Sequence, residues 1–417
     1  MKVIVLGAGV VGVTTAYHLA QAGCEVTVID RQAAAASETS YGNAGLITPG
    51  DSFAWASPAA LKTFVSSLVK PDMGIKVKPN LDPRFIAWTL KFLGQCTAKK
   101  ALENTEKKLR LSVYAREQMA ALVEKTGVQF EKKKKGVLYF YRSQETLDHG
   151  VAHMQFMADK GLPIEVLDRE GLVRHDSGLK HSADQLAGGI LCGVDQTGDS
   201  CKFSRNLAAW CESTMGVIFN WGTSIKTIET TGNKVTKIVT DKGDFTADAY
   251  ILATGCDSPL LLSEIGVKLA LYPVKGYSIT AKITDDSAAP VMGGVDDDKL
   301  IAYSRLGDRI RVACTAEFAG WDRTHTPADF KTVLKTIKEL FPNAADYEGA
   351  ERWAGLRPMT PSSVPVMGRT RKYSNLLLNT GHGHVGWTMS CGSGKVVTDL
   401  LLGREPEMDT TGLIFKG

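Results

Sequence analysis

Three glycines near the start of the chain are spaced to hold a dinucleotide. Gly7, Gly9 and Gly12 form the pattern G-x-G-x-x-G, and Asp30 follows downstream. The first glycine permits a tight turn, the second lets the backbone approach a pyrophosphate, and the third lets a helix pack close to a strand. An acidic residue about 20 positions further on accepts hydrogen bonds from a ribose diol. The pattern predicts a dinucleotide site without separating NAD from FAD.

A second glycine-rich turn lies near the end of the chain, in the segment NTGHGHVGWTMSCGSG (379–394). Its turn glycines are Gly381, Gly383 and Gly386. An apolar strand precedes them and a helix is predicted to follow, so a helix N-terminus would meet an anionic or electron-rich group. His382 and His384 are either simple turn histidines or, in the case of His384, a side chain that faces the ligand.

A single arginine is the candidate for binding a carboxylate. Arg357 stands among apolar residues and directly before Pro358. Its planar guanidinium can hold a carboxylate through two hydrogen bonds, which lysine cannot reproduce. On the residues alone, a structural ion pair is the more common explanation of such an arginine.

The elements around the first motif predict a βαβ unit. Residues 2–6 form a nearly continuous apolar run typical of a buried strand, and a helical pattern follows. Residues 24–30 predict a second strand that ends at Asp30. The segment 244–255 adds another buried strand followed by a small-residue turn. The polar stretch 37–46 either runs along the ribityl and pyrophosphate of a flavin or is an ordinary loop.

Composition excludes several classes of protein. The chain has 417 residues with 49 basic and 45 acidic side chains, a net charge of +4 that is too small and too dispersed for nucleic-acid binding. The eight cysteines form no C-x-x-C pair, and no Cys/His group has zinc-like spacing, so we expect free thiols in a reducing compartment and no metal. The sequence predicts no signal peptide and no membrane-spanning segment, and it places the protein in the cytoplasm.

Five segments together resemble the D-amino acid dehydrogenase family, which is related to D-amino acid oxidase, glycine oxidase and sarcosine oxidase. They are GAGVVG (7–12), TSYGNAG (39–45), YPVKGYS (272–278), WAGLRPMTP (353–361) and the segment 379–394. The resemblance covers nearly the whole chain and implies a noncovalently bound FAD.

The resemblance also implies which residues form the site. Those expected to hold FAD are Gly7, Ala8, Gly9, Val10, Val11, Gly12, Asp30, Arg31, Thr39, Ser40, Asn43, Ala44, Gly45, Leu46, Ile225, Ala253, Thr254, Gly255, Gly381, His382, Gly383, Gly386, Trp387, Thr388 and Met389. Arg357 falls on the arginine that binds the substrate α-carboxylate in the wider group. Tyr303 and Tyr277 are the candidates for a tyrosine that assists it, and His384 is the candidate that faces the ligand.

The implied fold is α/β, with a Rossmann-like FAD-binding domain and an inserted α+β substrate domain built on an antiparallel sheet. We expect a discontinuous FAD domain from 1–75, 165–265 and 340–417, and a substrate domain from 76–164 and 266–339. The strands predicted for the second sheet include 136–142, 277–283 and 308–317, which alternate polar and apolar residues.

The implied activity is oxidative deamination of a D-amino acid. The α-hydrogen leaves as a hydride to flavin N5, the imino acid hydrolyses to a 2-oxo acid and ammonia, and the electrons pass to a respiratory acceptor such as a quinone, or to a dye.

Segments 53–70 and 84–94 are either core helices or contacts with the cytoplasmic face of the inner membrane. The alternatives are a hydroxy-D-proline or other cyclic or secondary amine dehydrogenase, an oxidase that uses O2, a noncatalytic FAD subunit and an NAD-dependent dehydrogenase.

Overall fold

The computed structural model describes residues 1–61, 75–77 and 82–416. Part of the predicted membrane segment 53–70, including Phe64, lies outside these ranges. The α-helices of the described ranges are α1 (Val10–Gln21), α2 (Pro83–Leu93), α3 (Ala98–Thr126), α4 (Gln144–Asp159), α5 (Arg169–His175), α6 (Ser200–Met215), α7 (Ser258–Glu264), α8 (Lys331–Leu340) and α9 (Gly386–Leu401).

The strands are distributed over the whole chain. They are β1 (Lys2–Leu6), β2 (Glu25–Ile29), β3 (Leu46–Ile47), β4 (Ile75–Val77), β5 (Val137–Tyr141), β6 (Ile164–Asp168), β7 (Gly188–Cys192), β8 (Gln196–Thr197), β9 (Ile218–Asn220), β10 (Ile225–Thr231), β11 (Lys234–Thr240), β12 (Gly243–Phe245), β13 (Ala249–Leu252), β14 (Tyr272–Ile283), β15 (Gly293–Asp296), β16 (Ile301–Leu306), β17 (Arg309–Phe318), β18 (Ala345–Met359), β19 (Val366–Arg369) and β20 (Leu376–Thr380).

The first sheet has the strand order β19-β20-β13-β1-β2-β9 and is parallel except at β19. Both faces of strand β1 are buried, which explains why its residues are almost all apolar. Val3 and Val5 face a core shared with helices α1, α6 and α9, while Ile4 and Leu6 face the small sheet β10-β11-β12 and helix α7. The predicted βαβ unit is confirmed, and the carboxyl ends of β1, β13 and β20 meet at one edge.

The second sheet has the order β18-β14-β17-β16-β15-β5-β7-β6, with β4 beside β17. Its pairs are antiparallel except β5 with β15 and β4 with β17, which are parallel. One face packs on helix α8 through a large apolar core. The α/β fold class with a mainly antiparallel second sheet is therefore confirmed.

The boundaries between the two expected domains stay a prediction. Strands β7 (188–192) and β18 (345–359) come from segments that we assigned to the FAD domain, yet both belong to the second sheet. Strand β18 is the edge strand of the second sheet, and Met359 at its end forms a bridge with His382, which follows strand β20 of the first sheet. Arg357 therefore lies close to the point where the two sheets meet.

All eight cysteines are free thiols. Within the described ranges, no group of three or more His, Cys, Asp or Glu side chains is arranged to hold a metal ion. In the same ranges, no helix has the length and apolar character needed to cross a bilayer.

Candidate active site

The first glycine turn joins strand β1 to helix α1 in a space that excludes side chains. Gly7 has φ +102°, in the left-handed region that favours glycine, and a Cβ on it would lie 2.7 Å from the Ala253 carbonyl oxygen. A Cβ on Gly12 would lie 1.9 Å from the Gly7 carbonyl oxygen. Helix α1 therefore begins directly over the turn, and the N-cap residue Gly9 supplies no side-chain hydrogen bond to its free N–H groups.

Asp30 fixes this turn to the end of strand β2. One carboxylate oxygen accepts the Ala8 N–H at 2.6 Å, and the other accepts the Gln32 N–H at 2.8 Å. Burial raises the pKa of Asp30, although these two N–H groups act in the opposite direction. Each oxygen keeps accepting capacity towards the cavity that Asp30 lines, as a ribose contact requires.

The polar stretch 37–46 is hydrogen-bonded to helix α1 and to the second sheet. The Ser40 hydroxyl accepts the Val10 N–H of helix α1 at 3.1 Å, and the Thr39 hydroxyl donates to the Leu356 carbonyl at 2.7 Å. The Ala44 carbonyl accepts a hydrogen bond from Ser304 at 2.6 Å. This segment therefore crosses from the first helix to the second sheet along the wall of the cavity.

The C-terminal turn brings a second uncapped helix start to the same cavity. Gly381 and Gly383 have φ of +77° and +62°, and helix α9 begins at Gly386 without a side-chain cap, as predicted. His382 lies inside the protein, where its Nε2 and the Ser393 hydroxyl are 2.9 Å apart, and burial lowers its pKa to about 3. It is therefore a neutral side chain that fixes the turn to helix α9.

His384 also borders the cavity. Its ring stacks on Trp55 with centroids 5.0 Å apart, and its Nε2 lies 4.0 Å from Asp51 Oδ2. Burial lowers the pKa of His384, and the positive charges of Lys108 and Arg357 act in the same direction. The imidazole is therefore neutral at neutral pH.

The cavity has a volume of about 1100 Å³ and extends between the two sheets. The predicted FAD residues that line it are Gly7, Gly9, Val10, Val11, Asp30, Arg31, Thr39, Ser40, Asn43, Ala44, Leu46, Ile225, Ala253, Thr254, Gly255, Gly381, His382, Gly383, Gly386, Trp387 and Thr388. Four others do not line it and pack behind its wall: Ala8, Gly12, Gly45 and Met389. Of these, Gly12 lets helix α1 pack against the turn, because a Cβ there would meet the Gly7 carbonyl oxygen.

Arg357 extends into the cavity without a carboxylate partner in the described part of the chain. Its Nη1 donates to the Thr315 carbonyl at 2.7 Å, and Thr315 has φ +59°, an uncommon conformation for a β-branched residue. The guanidinium lies over Gly276, where a Cβ would stand 2.5 Å from Arg357 Cζ. The structural ion pair that the sequence left open is absent from the described residues, and an anion can approach the free side of the guanidinium.

The two tyrosine candidates have different surroundings. Tyr277 borders the cavity, but its hydroxyl donates to Glu317, and its ring packs edge-on against Phe330. Tyr303 does not line the cavity, because its side chain is fully buried in the core of the second sheet against Phe341. The structure therefore does not bring the Tyr303 hydroxyl to Arg357.

Several residues that the motifs did not indicate border the same space. Asp51 and Trp55 follow the 37–46 segment directly, which is the only sequence signal for them. At the mouth, Arg31 pairs with Glu38 at 2.5 Å and with Asp257 at 2.8 Å, and Arg323 pairs with Glu38 at 3.0 Å. Arg31 therefore lines the cavity with its charge already paired.

Residues 2–400 match the family described as "DAO: FAD dependent oxidoreductase". The chain belongs to this family of FAD-dependent oxidoreductases. It is 51% identical over 417 residues to "D-amino acid dehydrogenase 2" of Mesorhizobium japonicum, with 100% of both chains covered. It is 43% identical over 413 residues to "D-amino acid dehydrogenase" of Granulibacter bethesdensis, covering 99% of this chain and 98% of that protein.

Solved structures share the fold at low identity. The glycine oxidase from Geobacillus kaustophilus has a TM-score of 0.76 at 20% identity, covering 100% of this chain and 99% of that chain. The glycine oxidase from Bacillus cereus has a TM-score of 0.73 at 21% identity, covering 97% and 96%. These neighbours bear out the predicted two-sheet architecture.

The cavity fits the FAD that the family uses. Two helix starts, at α1 and α9, border one continuous space, and their N-cap residues supply no side-chain hydrogen bond. Close-packed glycines keep side chains out of both turns. The volume of about 1100 Å³ exceeds the common range of roughly 300–1000 Å³ for small-molecule sites, which leaves room for a dinucleotide beside a small substrate. The NAD-dependent alternative is not supported, because the family cofactor is FAD.

Proposed function

We propose that the protein catalyses FAD-dependent oxidative deamination of D-amino acids to 2-oxo acids and ammonia. The observation that carries this proposal is Arg357, a cavity-lining cation without a carboxylate partner in the described ranges, next to the elements that would hold FAD. The relatives named D-amino acid dehydrogenase at 51% and 43% identity support the substrate class.

Some of these residues would bind the cofactor, and others would bind the substrate. The backbone N–H groups at the starts of α1 and α9 would bind the pyrophosphate and the electron-rich part of the flavin, and Asp30 would bind the ribose. Bound FAD supplies a two-electron acceptor for a hydride. Arg357 holds the substrate carboxylate, and the Thr315 carbonyl fixes the orientation of its guanidinium.

The absorption spectrum tests this proposal directly. We expect the purified protein to show flavin bands that bleach when D-alanine or another D-amino acid is added without oxygen, because the hydride reduces the flavin. The L-enantiomers serve as the matched control and should leave the bands unchanged. Dye reduction without peroxide formation would separate a dehydrogenase from an oxidase. A protein whose flavin bands persist with every D-amino acid would contradict the proposed activity.

We further propose that helix α2 contacts the membrane surface where the electron acceptor resides. Phe85, Trp88 and Phe92 are buried on one side of this helix. On the other side, Ile86 and Leu90 are 47% and 65% exposed. These two apolar side chains lie one turn apart and form an exposed apolar strip, which can mark an interaction surface. Trp55, by contrast, lies against His384 in the cavity, so it is not a surface contact.

Charged substitutions on helix α2 test the membrane contact. We expect Ile86→Asp with Leu90→Asp to release the activity from membranes while dye-linked activity stays within about twofold, because exposed positions contribute little to stability. The matched control is Ile218→Asp on strand β9, which is 58% exposed on the first sheet and should leave sedimentation unchanged. Equal sedimentation of both variants with membranes would contradict the proposed contact.

A further inference from the structure

A carboxylate that the motifs do not mark faces the cavity near His384. Asp51 ends a short turn, Pro49–Asp51, that follows strand β3. The Gly50 N–H of this turn donates to Asp195 at 3.0 Å, and Asp195 also accepts the Tyr139 hydroxyl at 2.8 Å. Asp51 therefore rests on a backbone that a buried network holds in place.

The Asp51 carboxylate has no close cation of its own in the described ranges. The basic group that lies within 4.0 Å of it there is the Nε2 of the neutral His384. Its side chain is 41% accessible, and it lines the cavity. Lys108 on helix α3 lies beyond ion-pair distance and donates to the Phe53 carbonyl. The free side of the carboxylate is thus open to a cationic group in the cavity.

Arg357 and Asp51 line the same cavity as His384, and both act on its ring. The charge of Arg357 acts on the His384 ring, and the Asp51 carboxylate lies at its Nε2. The cavity therefore offers an unpaired cation and an unpaired anion around one neutral ring, with the stacked Trp55 completing the wall. A zwitterionic α-amino acid carries the complementary pair of charges.

We propose that Asp51 binds the α-ammonium group of the substrate and accepts one proton from it before the α-hydrogen leaves. This inference rests on the proposed function and names the amine-binding residue of the same site. One N–H bond of the ammonium breaks and one O–H bond forms on Asp51. The freed nitrogen lone pair then forms the C=N bond as the hydride departs, so protons and electrons balance.

The surroundings of Asp51 suit this role near neutral pH. Although the Asp51 side chain faces the cavity, the protein around it withdraws it from bulk water and raises its pKa to about 7. Lys108 from helix α3 acts against the rise, and Asp297 from the loop after strand β15 adds to it. Asp195 faces Asp51 from the loop after β7, and His384 faces it from the turn before α9. A carboxylate in this range can both accept a proton and release it in each cycle.

The direction of the pH dependence follows from these charges. Asp51 must be ionised to bind an ammonium group, so kcat/KM for D-alanine should fall as the pH drops through the pKa of Asp51. Asp297→Asn removes a negative neighbour and should move this decline to lower pH. Lys108→Met removes a positive neighbour and should move it to higher pH.

Two ligands that differ only in the amine give a readout independent of turnover. 2-Methylalanine has no α-hydrogen and cannot be oxidised, and isobutyrate is its amine-free counterpart. With the FAD-loaded protein at pH 8, we expect calorimetry to give 2-methylalanine the lower Kd, and Asp51→Asn to weaken its binding by about tenfold or more. Isobutyrate, held by Arg357, should change less than about threefold. Asp297→Asn is the matched control and should keep the preference for 2-methylalanine.

The outcomes separate this inference from the proposed function. If Asp51→Asn binds both ligands like the wild type and its kcat/KM still declines at low pH, Asp51 is not the amine-binding residue. D-amino acid oxidation by the wild type would then still support the proposed function. If Asp51→Asn fails to fold, the pH at which kcat/KM declines in Asp297→Asn and in Lys108→Met decides. The inference is overturned if this pH is the same as in the wild type in both variants.

Discussion

Arg357→Ala should lower kcat/KM for D-alanine by about 100-fold to 10,000-fold. A guanidinium that holds a carboxylate makes two charge-assisted hydrogen bonds, each contributing about 1.5–3 kcal/mol. Since every 1.4 kcal/mol is about tenfold, the loss of both gives this range. The effect should be large because Arg357 has no carboxylate partner in the described ranges that could hold the substrate in its place. Steady-state kinetics with a dye acceptor measures the loss.

Two variants control for effects other than carboxylate binding. Arg357→Lys keeps the charge but loses the planar pair of donors, so it should recover only part of the activity. Arg352→Ala removes an arginine five positions earlier on the same strand, where alternation turns the side chain to the other face, and should change kcat/KM less than about threefold. The flavin spectrum should be unchanged in all three. Unaltered kcat/KM in Arg357→Ala would remove Arg357 from the substrate site.

The parts of the site that lie in short contiguous segments could be predicted from the sequence. A glycine turn between a buried strand and a helix depends on neighbours within a few residues, so Gly7, Gly9 and Asp30 are recognisable without the fold. The turn at 381–386 follows the same logic. Arg357 could be recognised as a candidate, but only the fold excludes a carboxylate partner among the described residues and places Gly276 beneath its guanidinium.

Contacts between distant segments could not be predicted in this way. Asp51 reaches His384 across more than three hundred residues of chain, and no local pattern links the two. The position of Tyr303, a candidate to assist Arg357, could not be predicted for a different reason. Adjacent side chains of a strand point to opposite faces of the sheet. Ser304 bonds the Ala44 carbonyl at the cavity wall, which turns Tyr303 into the core. Both faces of this strand are buried, so hydrophobicity alone does not reveal which one borders the site.

Gly12→Ala should abolish FAD binding and destabilise the protein. The new methyl group would stand 1.9 Å from the Gly7 carbonyl oxygen, so helix α1 must move away from the turn that is proposed to bind the pyrophosphate. The atoms within 3 Å of this methyl group belong to the Gly7 backbone, so no flexible side chain can give way. We expect a loss of at least about 3 kcal/mol in the free energy of unfolding and a colourless preparation. Denaturant titration and flavin absorbance measure the two effects separately.

Gly9→Ala is the matched control within the same turn. Gly9 has φ −65°, which alanine adopts freely, and its Cβ would lie 3.5 Å from the Ser40 hydroxyl oxygen, an ordinary contact. The apoprotein should therefore unfold at the same denaturant concentration as the wild type. Its FAD affinity should still fall, because the methyl group occupies the space through which the backbone approaches the pyrophosphate. Two results would contradict these roles. They are a loss of stability in Gly9→Ala and FAD binding of wild-type strength in Gly12→Ala.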